Sequence, residues 1–140
     1  MNALELFGRQ IVIPATLWQE LNQDSNSSDL LAWLHRPTTP RMVRPVPLAS
    51  RLILDGLSKP QCEAVTLAAH EKIAILTDDM AASREAALHA VSVVGTLDVL
   101  NFAQRLGLLK FDGTKLWGFV KDLGIPGRFS RERNVQLLRN

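Results

Sequence analysis

The feature that most constrains the fold is a short apolar run, residues 73–77, that ends at two consecutive aspartates, Asp78 and Asp79. Such a run, without alternating polar positions, is typical of a strand covered on both faces. Strands of that kind belong to parallel sheets, because the crossover connections lay helices over both faces. The run therefore predicts an α/β domain with a short, mainly parallel sheet flanked by helices.

The segments around this run repeat the alternation of strand and helix. Residues 10–13 and 91–94 are rich in β-branched side chains and predict further strands. The short links between elements predict βαβ units with right-handed crossovers. The predicted helices span residues 14–23, 79–88 and 96–105, the last with Thr96 as its cap and Gly107 as its end. A short helix capped by Asp29 ends near His35, and another begins at Ser58 and Pro60. Further helices are predicted at 48–54, 113–123 and 130–138, and residues 42–44 are predicted to be extended.

Composition limits the class of protein. With 140 residues, of which 46% are hydrophobic, the chain fits one globular domain spanning residues 1–140. Its single cysteine, Cys62, cannot form an intramolecular disulfide or a cysteine zinc site, and the sequence therefore predicts a cytoplasmic protein with Cys62 as a buried apolar residue. No apolar run is long enough for a membrane span, and residues 1–10 lack the pattern of a signal peptide.

Charge gives a weaker indication. The net charge of +2 does not by itself argue for nucleic-acid binding. The end of the sequence is rich in basic residues, and Glu132 is the single acid among its four arginines, Arg128, Arg131, Arg133 and Arg139. They fit either the solvated face of a helix or a patch that contacts phosphates.

The acidic residues are the strongest candidates for chemistry. The sequence has no glycine-rich phosphate loop, its histidines lack the spacing of metal ligands, and no serine sits in a glycine elbow. Asp78 and Asp79 follow the predicted buried strand, at the sheet edge where open parallel sheets bind ligands. One of them suffices to cap the next helix. The second leaves a spare negative charge, which favours a bound cation.

Five short motifs, taken together in their order and spacing, resemble the PIN-domain nucleases, and in particular the small bacterial and archaeal branch related to toxin–antitoxin ribonucleases. The motifs cover most of the chain. They are Ile-Val-Ile-Pro-x-x-x-Trp-x-Glu-Leu at 11–21, Glu-Ala-Val-x-Leu-Ala at 63–68, Ile-Leu-Thr-Asp-Asp-x-x-Ala at 75–82, Val-Val-Gly-Thr-Leu-x-Val-Leu at 93–100 and Ala-Gln-Arg-Leu-Gly-Leu-Leu at 103–109.

The resemblance implies a metal site for RNA cleavage. In such proteins acidic side chains hold Mg²⁺ or Mn²⁺, which activates water for attack on an RNA phosphodiester. Glu20, Asp78 and Asp79 match the acids that hold the metal. Glu63 matches a further catalytic acid less closely, because the family commonly has Gly-Glu where this chain has Pro60-Gln61, and Glu63 lies about 200° further round the helix.

The resemblance also implies a missing element. The family begins with a central strand that carries an essential aspartate, followed by a helix, and residues 1–7 resemble only the end of that helix. The chain is therefore expected to be an N-terminally truncated PIN-like domain that lacks one metal ligand. Three explanations stay open: a coding start upstream of Met1, a degenerate relative, or a partner chain that supplies the strand.

Two functions follow from these observations. The first is a metal-dependent ribonuclease of toxin–antitoxin type, with an antitoxin protein as a possible partner, active only if its metal site is complete. The alternative is a non-catalytic PIN-like module for binding or oligomerisation. Strand edges left without a neighbour invite another chain, so a homodimer is expected, helped by apolar residues such as Trp18, Leu31 and Trp33.

Overall fold

The computed structural model of the chain describes residues 10–37, 39, 41–47, 50–107 and 110. Residues 1–7, the helices predicted at 113–123 and 130–138, and the four arginines after residue 127 lie outside the described residues. Within the described part, five α-helices and four short parallel strands confirm the expected α/β class. None of the described helices is long and apolar enough to cross a bilayer.

The first half of the described chain is a parallel strand pair with two helices. Strand β1 (Ile11–Pro14) leads into helix α1 (Ala15–Gln23); a 3-10 turn (Ser25–Ser27) precedes helix α2 (Ser28–Leu34), and strand β2 (Arg41–Arg44) follows. β1 pairs in parallel with β2, with Ile11 opposite Arg41. Pro14 ends β1 and is also the N-cap of α1, because proline has no N–H to give but fits a helix start. Asp29, predicted as a cap, lies instead in the first turn of α2, whose N-cap is Ser27.

Aromatic and aliphatic side chains form the core of this half. Ile13, Trp33 and Leu34 are buried, and Ile11, Leu17, Trp18 and Leu21 pack against them. The Arg41 guanidinium lies 5.7 Å from the centre of the Trp18 ring, a distance at which a cation–π contact is favourable. Trp33 is thus internal to this core.

The second half repeats the pattern with shorter strands. It consists of helix α3 (Lys59–Glu71), strand β3 (Ile75–Leu76), helix α4 (Met80–Leu88), strand β4 (Val93–Val94) and helix α5 (Thr96–Arg105). β3 pairs in parallel with β4. Its core contains the buried side chains of Val65, Ala68, Ile75, Ala86 and Val91.

Both strands of this half are shorter than the apolar runs that predict them. The Ile73 N–H donates to the Ala68 carbonyl, and the Val91 N–H donates to the Ala86 carbonyl. The start of each run therefore closes the preceding helix, whose end takes up a left-handed residue, Lys72 in one case and Ala90 in the other. Backbone groups used in this way are not available to a sheet ladder.

The segment before α3 also differs from expectation. Within the predicted helix at 48–54, residue 50 is in a 3-10 turn and residues 51–54 form no helix. The Leu52 N–H donates to Thr66 Oγ1 at 3.0 Å, which ties the segment along the side of α3. Cys62 is buried beneath it, as predicted.

The described strands form two separate two-stranded sheets rather than one. Between β1 and β3 lies an apolar groove of about 230 Å³, here called the inter-sheet groove. Leu76 borders it and is 52% exposed. The Ile75 and Thr77 N–H groups both donate to the β4 side, so the Leu76 backbone, between them, faces away from β4. The groove is lined by Ile11, Val12, Ile13, Pro14, Leu17, Leu21, Leu30, Trp33, Leu34, Ala64, Leu67, Ala68, Ile73, Ala74, Ile75 and Leu76.

Candidate functional site

Asp79 is the residue that caps the helix after β3. Its carboxylate accepts a hydrogen bond from the Ala82 N–H at 2.7 Å, which satisfies one of the free amides at the start of α4. The Asp79 N–H in turn donates to Thr77 Oγ1 at 3.1 Å. The side chain is exposed, so Asp79 has a structural role and still faces solvent.

Asp78 is the aspartate that the cap does not use. Its Oδ1 accepts from the Thr96 N–H at 2.8 Å, and its Oδ2 accepts from the Thr96 hydroxyl. Both donors belong to the first residue of α5, so Asp78 links the carboxyl end of β3 to the amino end of that helix. A carboxylate is favoured there by the free amides and by the helix dipole.

Gly95 allows this close approach. It is buried and serves as the N-cap of α5, a role that the sequence predicted for Thr96. The difference has a physical reason: the Thr96 hydroxyl and amide are engaged by Asp78 rather than by the helix that follows. A Cβ added at Gly95 would lie 3.0 Å from Asp78 Oδ1 and 3.5 Å from Asp98 Oδ2.

Asp98 is a neighbouring acid that the sequence motifs did not single out. Its Oδ2 accepts from the Gly95 N–H at 2.8 Å, as an acid at the third position of a helix does when it reaches back to the cap. Oxygens of Asp78 and Asp98 lie within 3.5 Å of one point, the position of a Cβ on Gly95. The sequence feature that could have identified Asp98 is its position three residues after Gly95, the N-cap of the helix.

Glu63 lies inside the protein with both carboxylate oxygens in contact with other residues. The residue is 3% exposed. Its Oε2 accepts from the Thr16 hydroxyl at 2.5 Å, and its Oε1 lies 3.5 Å from Arg51 Nη1. Glu63 therefore ties α3 to α1 and to the segment before α3, and its charge is balanced by Arg51.

Gln61, which stands where the resembled family has a glutamate, is used at the start of α3. Its side-chain oxygen accepts from the Ser58 N–H at 2.8 Å, while its own N–H donates to Ser58 Oγ at 3.4 Å. This reciprocal pair is a capping box. The side chain is therefore directed back toward the helix start.

Glu20 lies on the exposed side of α1. Its backbone carbonyl accepts from the Asp24 N–H, which closes the helix. Among the described residues, no group of three or more His, Cys, Asp or Glu side chains is arranged to hold a metal ion. The structure thus brings Asp78 close to Asp98 and does not gather Glu20, Asp78 and Asp79 into such a group.

Whether a divalent metal fits can be judged from the donors around Asp78. Carboxylate oxygens are the ligands that Mg²⁺ prefers, and Mg²⁺ commonly keeps several waters and takes only one or two protein carboxylates. Thr96 occupies one lone pair on each Asp78 oxygen, and a carboxylate offers about four. The described residues therefore leave lone pairs of Asp78 free for a water-rich ion, and they do not form a closed cage of acids.

Comparison with known families places the chain. A family model described as a PIN domain matches residues 1–123, a range that includes every described helix and strand. No curated protein and no solved structure matches the chain. Because the family model covers most of the sequence, the chain belongs to the PIN-domain family.

Proposed function

We propose that the protein is a metal-dependent endoribonuclease of toxin–antitoxin type whose activity is weak or lost in the 140-residue chain. Membership in the PIN-domain family supports a nuclease-type function acting on RNA. The observation that carries the proposal is Asp78, an aspartate at the carboxyl end of a parallel strand that is not used to cap the following helix. Ligands in open parallel sheets bind at that end of the strands.

The ion is Mg²⁺ or Mn²⁺, and Asp78 is its principal ligand, with Asp79 and Glu20 as further acids. When bound, such an ion supplies a more acidic water and stabilises charge on phosphate oxygens. Asp79 retains its exposed carboxylate beside its capping bond. Glu63, buried and paired with Arg51, contributes to the site by fixing α3 rather than by contact with the ion.

A non-catalytic module is the second candidate, and one observation favours it. Asp78, Asp79 and Glu63 all accept hydrogen bonds from the protein itself. Efficient cleavage needs reacting groups and ions held in close register. A site in which three of the four candidate acids already serve the fold suits binding better than rapid turnover.

Measuring Mn²⁺ binding distinguishes both candidates, the ribonuclease and the binding module, from a protein that has no metal site. Binding of added Mn²⁺ is measured by the paramagnetic relaxation of water protons in the parent, in Asp78→Asn and in Asp55→Asn. Asp55→Asn is the control, because it loses the same charge at an exposed position. Weak binding that is lost in Asp78→Asn and kept in Asp55→Asn is expected. Equal binding in all three would refute the assignment of Asp78.

RNA cleavage then decides between enzyme and binding module. With a pool of fluorogenic RNA substrates and Mn²⁺, the parent is expected to cleave slowly, and Asp78→Asn not at all. Metal binding without cleavage, together with retention of RNA on the protein, would favour the module. Strong metal-dependent cleavage that Asp78→Asn leaves unchanged would contradict both the site and the proposed weakness.

The proposed assembly is a homodimer formed at the inter-sheet groove. Leu30, Ile73 and Leu76 border the groove and are 41%, 40% and 52% exposed. Unpaired strand edges beside apolar surface invite another chain, and a twofold dimer presents the same edge from both copies. If an antitoxin occupies this groove instead of a second copy, the isolated chain is a monomer, and substitutions in the groove leave its oligomeric state unchanged. The single cysteine suits a cytoplasmic location for both states.

A further inference from the structure

We infer that Thr96 and Gly95 are positioning residues that fix the orientation of the Asp78 carboxylate. The inference deepens the proposed function and, where it concerns metal binding, rests on it. The two residues belong to the loop and first turn of α5, whereas Asp78 follows β3 and is 18 positions earlier. Their contact is therefore made by the fold and not by a local turn.

The contact fixes the carboxylate at both of its oxygens. The Thr96 N–H donates to Oδ1 at 2.8 Å and the Thr96 hydroxyl donates to Oδ2. A single hydrogen bond leaves an aspartate side chain freedom to rotate about its Cα–Cβ and Cβ–Cγ bonds. Two bonds from two directions on one residue restrict that rotation and leave a defined set of lone pairs free.

Gly95 determines how close the carboxylate can come. A Cβ on Gly95 would lie 3.0 Å from Asp78 Oδ1 and 3.9 Å from the Thr77 carbonyl oxygen. The backbone of Gly95 is in an ordinary extended region, with φ at −100°, so its conformation does not require glycine. The requirement is for space next to Asp78.

Charge around the pair makes the orientation matter. The Asp98 carboxylate also lies close to Gly95 and accepts a hydrogen bond from the Gly95 N–H. Two carboxylates near one small residue repel each other, and hydrogen-bond donors to each carboxylate offset that repulsion. With Thr96 in place, Asp78 stays oriented beside Asp98 without any ion, and partners of metal-binding side chains of this kind commonly change metal affinity when they are removed.

The test compares Thr96→Val with Thr96→Ser. Valine keeps the shape and the N–H donor but loses the hydroxyl, whereas serine keeps both donors. Three-bond Hα–Hβ couplings of Asp78 measure its rotamer without any metal. A single rotamer in the parent and in Thr96→Ser, with averaging in Thr96→Val, is expected. Averaged couplings in the parent, or a single rotamer in Thr96→Val, would overturn the inference.

Manganese affinity supplies a second measurement. Thr96→Val is expected to bind Mn²⁺ about 10–100-fold more weakly than the parent, and Thr96→Ser to restore most of the binding. Affinity in Thr96→Val equal to that of the parent would refute the effect on the metal. If the parent bound no Mn²⁺, the proposed metal-dependent function would be refuted. The Hα–Hβ couplings of Asp78 would still decide whether Thr96 positions its side chain. A thermal melt of each variant is the control for unfolding. Unfolding would shift all core resonances, whereas a loss of positioning would change only those of Asp78.

Discussion

Arg51 and Glu63 form an ion pair at the side of α3, with Arg51 Nη1 3.5 Å from Glu63 Oε1. Glu63 is buried, and Thr16 donates to its second oxygen. Arg51 Nη1 is itself a buried atom without a hydrogen bond. The pair is thus a close approach of charges within the protein, and each partner depends on the other for compensation.

We predict that removing Arg51 is more damaging than neutralising Glu63. Arg51→Met leaves a buried carboxylate with only the Thr16 hydroxyl and should lower the free energy of unfolding by roughly 3 kcal/mol. Glu63→Gln keeps an acceptor for Thr16 and should cost about 1–2 kcal/mol. Urea denaturation measures both, with Arg84→Met, on the exposed side of α4, as the control. If Glu63→Gln abolished Mn²⁺ binding while stability stayed the same, Glu63 would be a ligand and not a structural residue.

A second prediction concerns neighbouring residues of β3 that face opposite ways. Ile75 is 7% exposed and Leu76 is 52% exposed. Ile75→Asp should remove cooperative melting, because an unpaired buried charge costs several kcal/mol against a total stability of about 5–15 kcal/mol. Leu76→Asp should stay folded and melt cooperatively. Val93 is only partly buried, so Val93→Asp should be intermediate. Circular dichroism melts that showed Leu76→Asp unfolded and Ile75→Asp folded would mean that the register of β3 is reversed.

Leu76 also allows the homodimer to be tested without unfolding the chain. Leu76→Asp places a charge at the inter-sheet groove and should convert a dimer into a monomer in light scattering at tens of micromolar. Ile53→Asp is the matched control, since Ile53 is 87% exposed and does not line the groove; it should leave the dimer intact. A parent that is a monomer at this concentration would contradict the dimer.

Gly95→Ala is predicted to destabilise mainly through its contact with Asp78. The added methyl would lie 3.0 Å from Asp78 Oδ1, and relieving such a contact should cost about 1–3 kcal/mol. In an Asp78→Ala background the same change should cost little, because the opposing oxygen is gone. A double-mutant cycle from denaturant unfolding gives the coupling energy. A cost that is equal in both backgrounds would place the strain elsewhere, for example at Asp98.

The order of strands and helices could be predicted from sequence because it rests on local patterns. The apolar run before Asp78, the capping role open to either aspartate and the helix start at Ser58 are all readable within a few residues. The strands are shorter than the apolar runs predict, because the start of each run closes the preceding helix through a left-handed residue, Lys72 or Ala90. Apolar periodicity does not report which backbone groups a helix end will take.

The site was less predictable because its contacts are distant in sequence. Asp78 and Thr96 are 18 positions apart, and Thr16 and Glu63 are 47 apart. Such pairs depend on how loops place helix starts, which no local pattern encodes. The resemblance located Asp78 and Asp79, yet it could not show that one is a cap, that the other is held by Thr96, or that Asp98 lies next to Gly95.

Helix α3 contributes to two regions that have separate cores. Its residues Val65 and Ala68 belong to the core around β3 and β4, and Ala64 and Leu67 reach the groove beside β1. The core around β1 has its own buried set, centred on Trp33. Amide hydrogen exchange should therefore resolve two groups of protected amides that open with different free energies. A partner chain that occupied the inter-sheet groove would contact both cores. Its binding should therefore make the two groups of amides exchange at similar rates, including amides far from the contact itself.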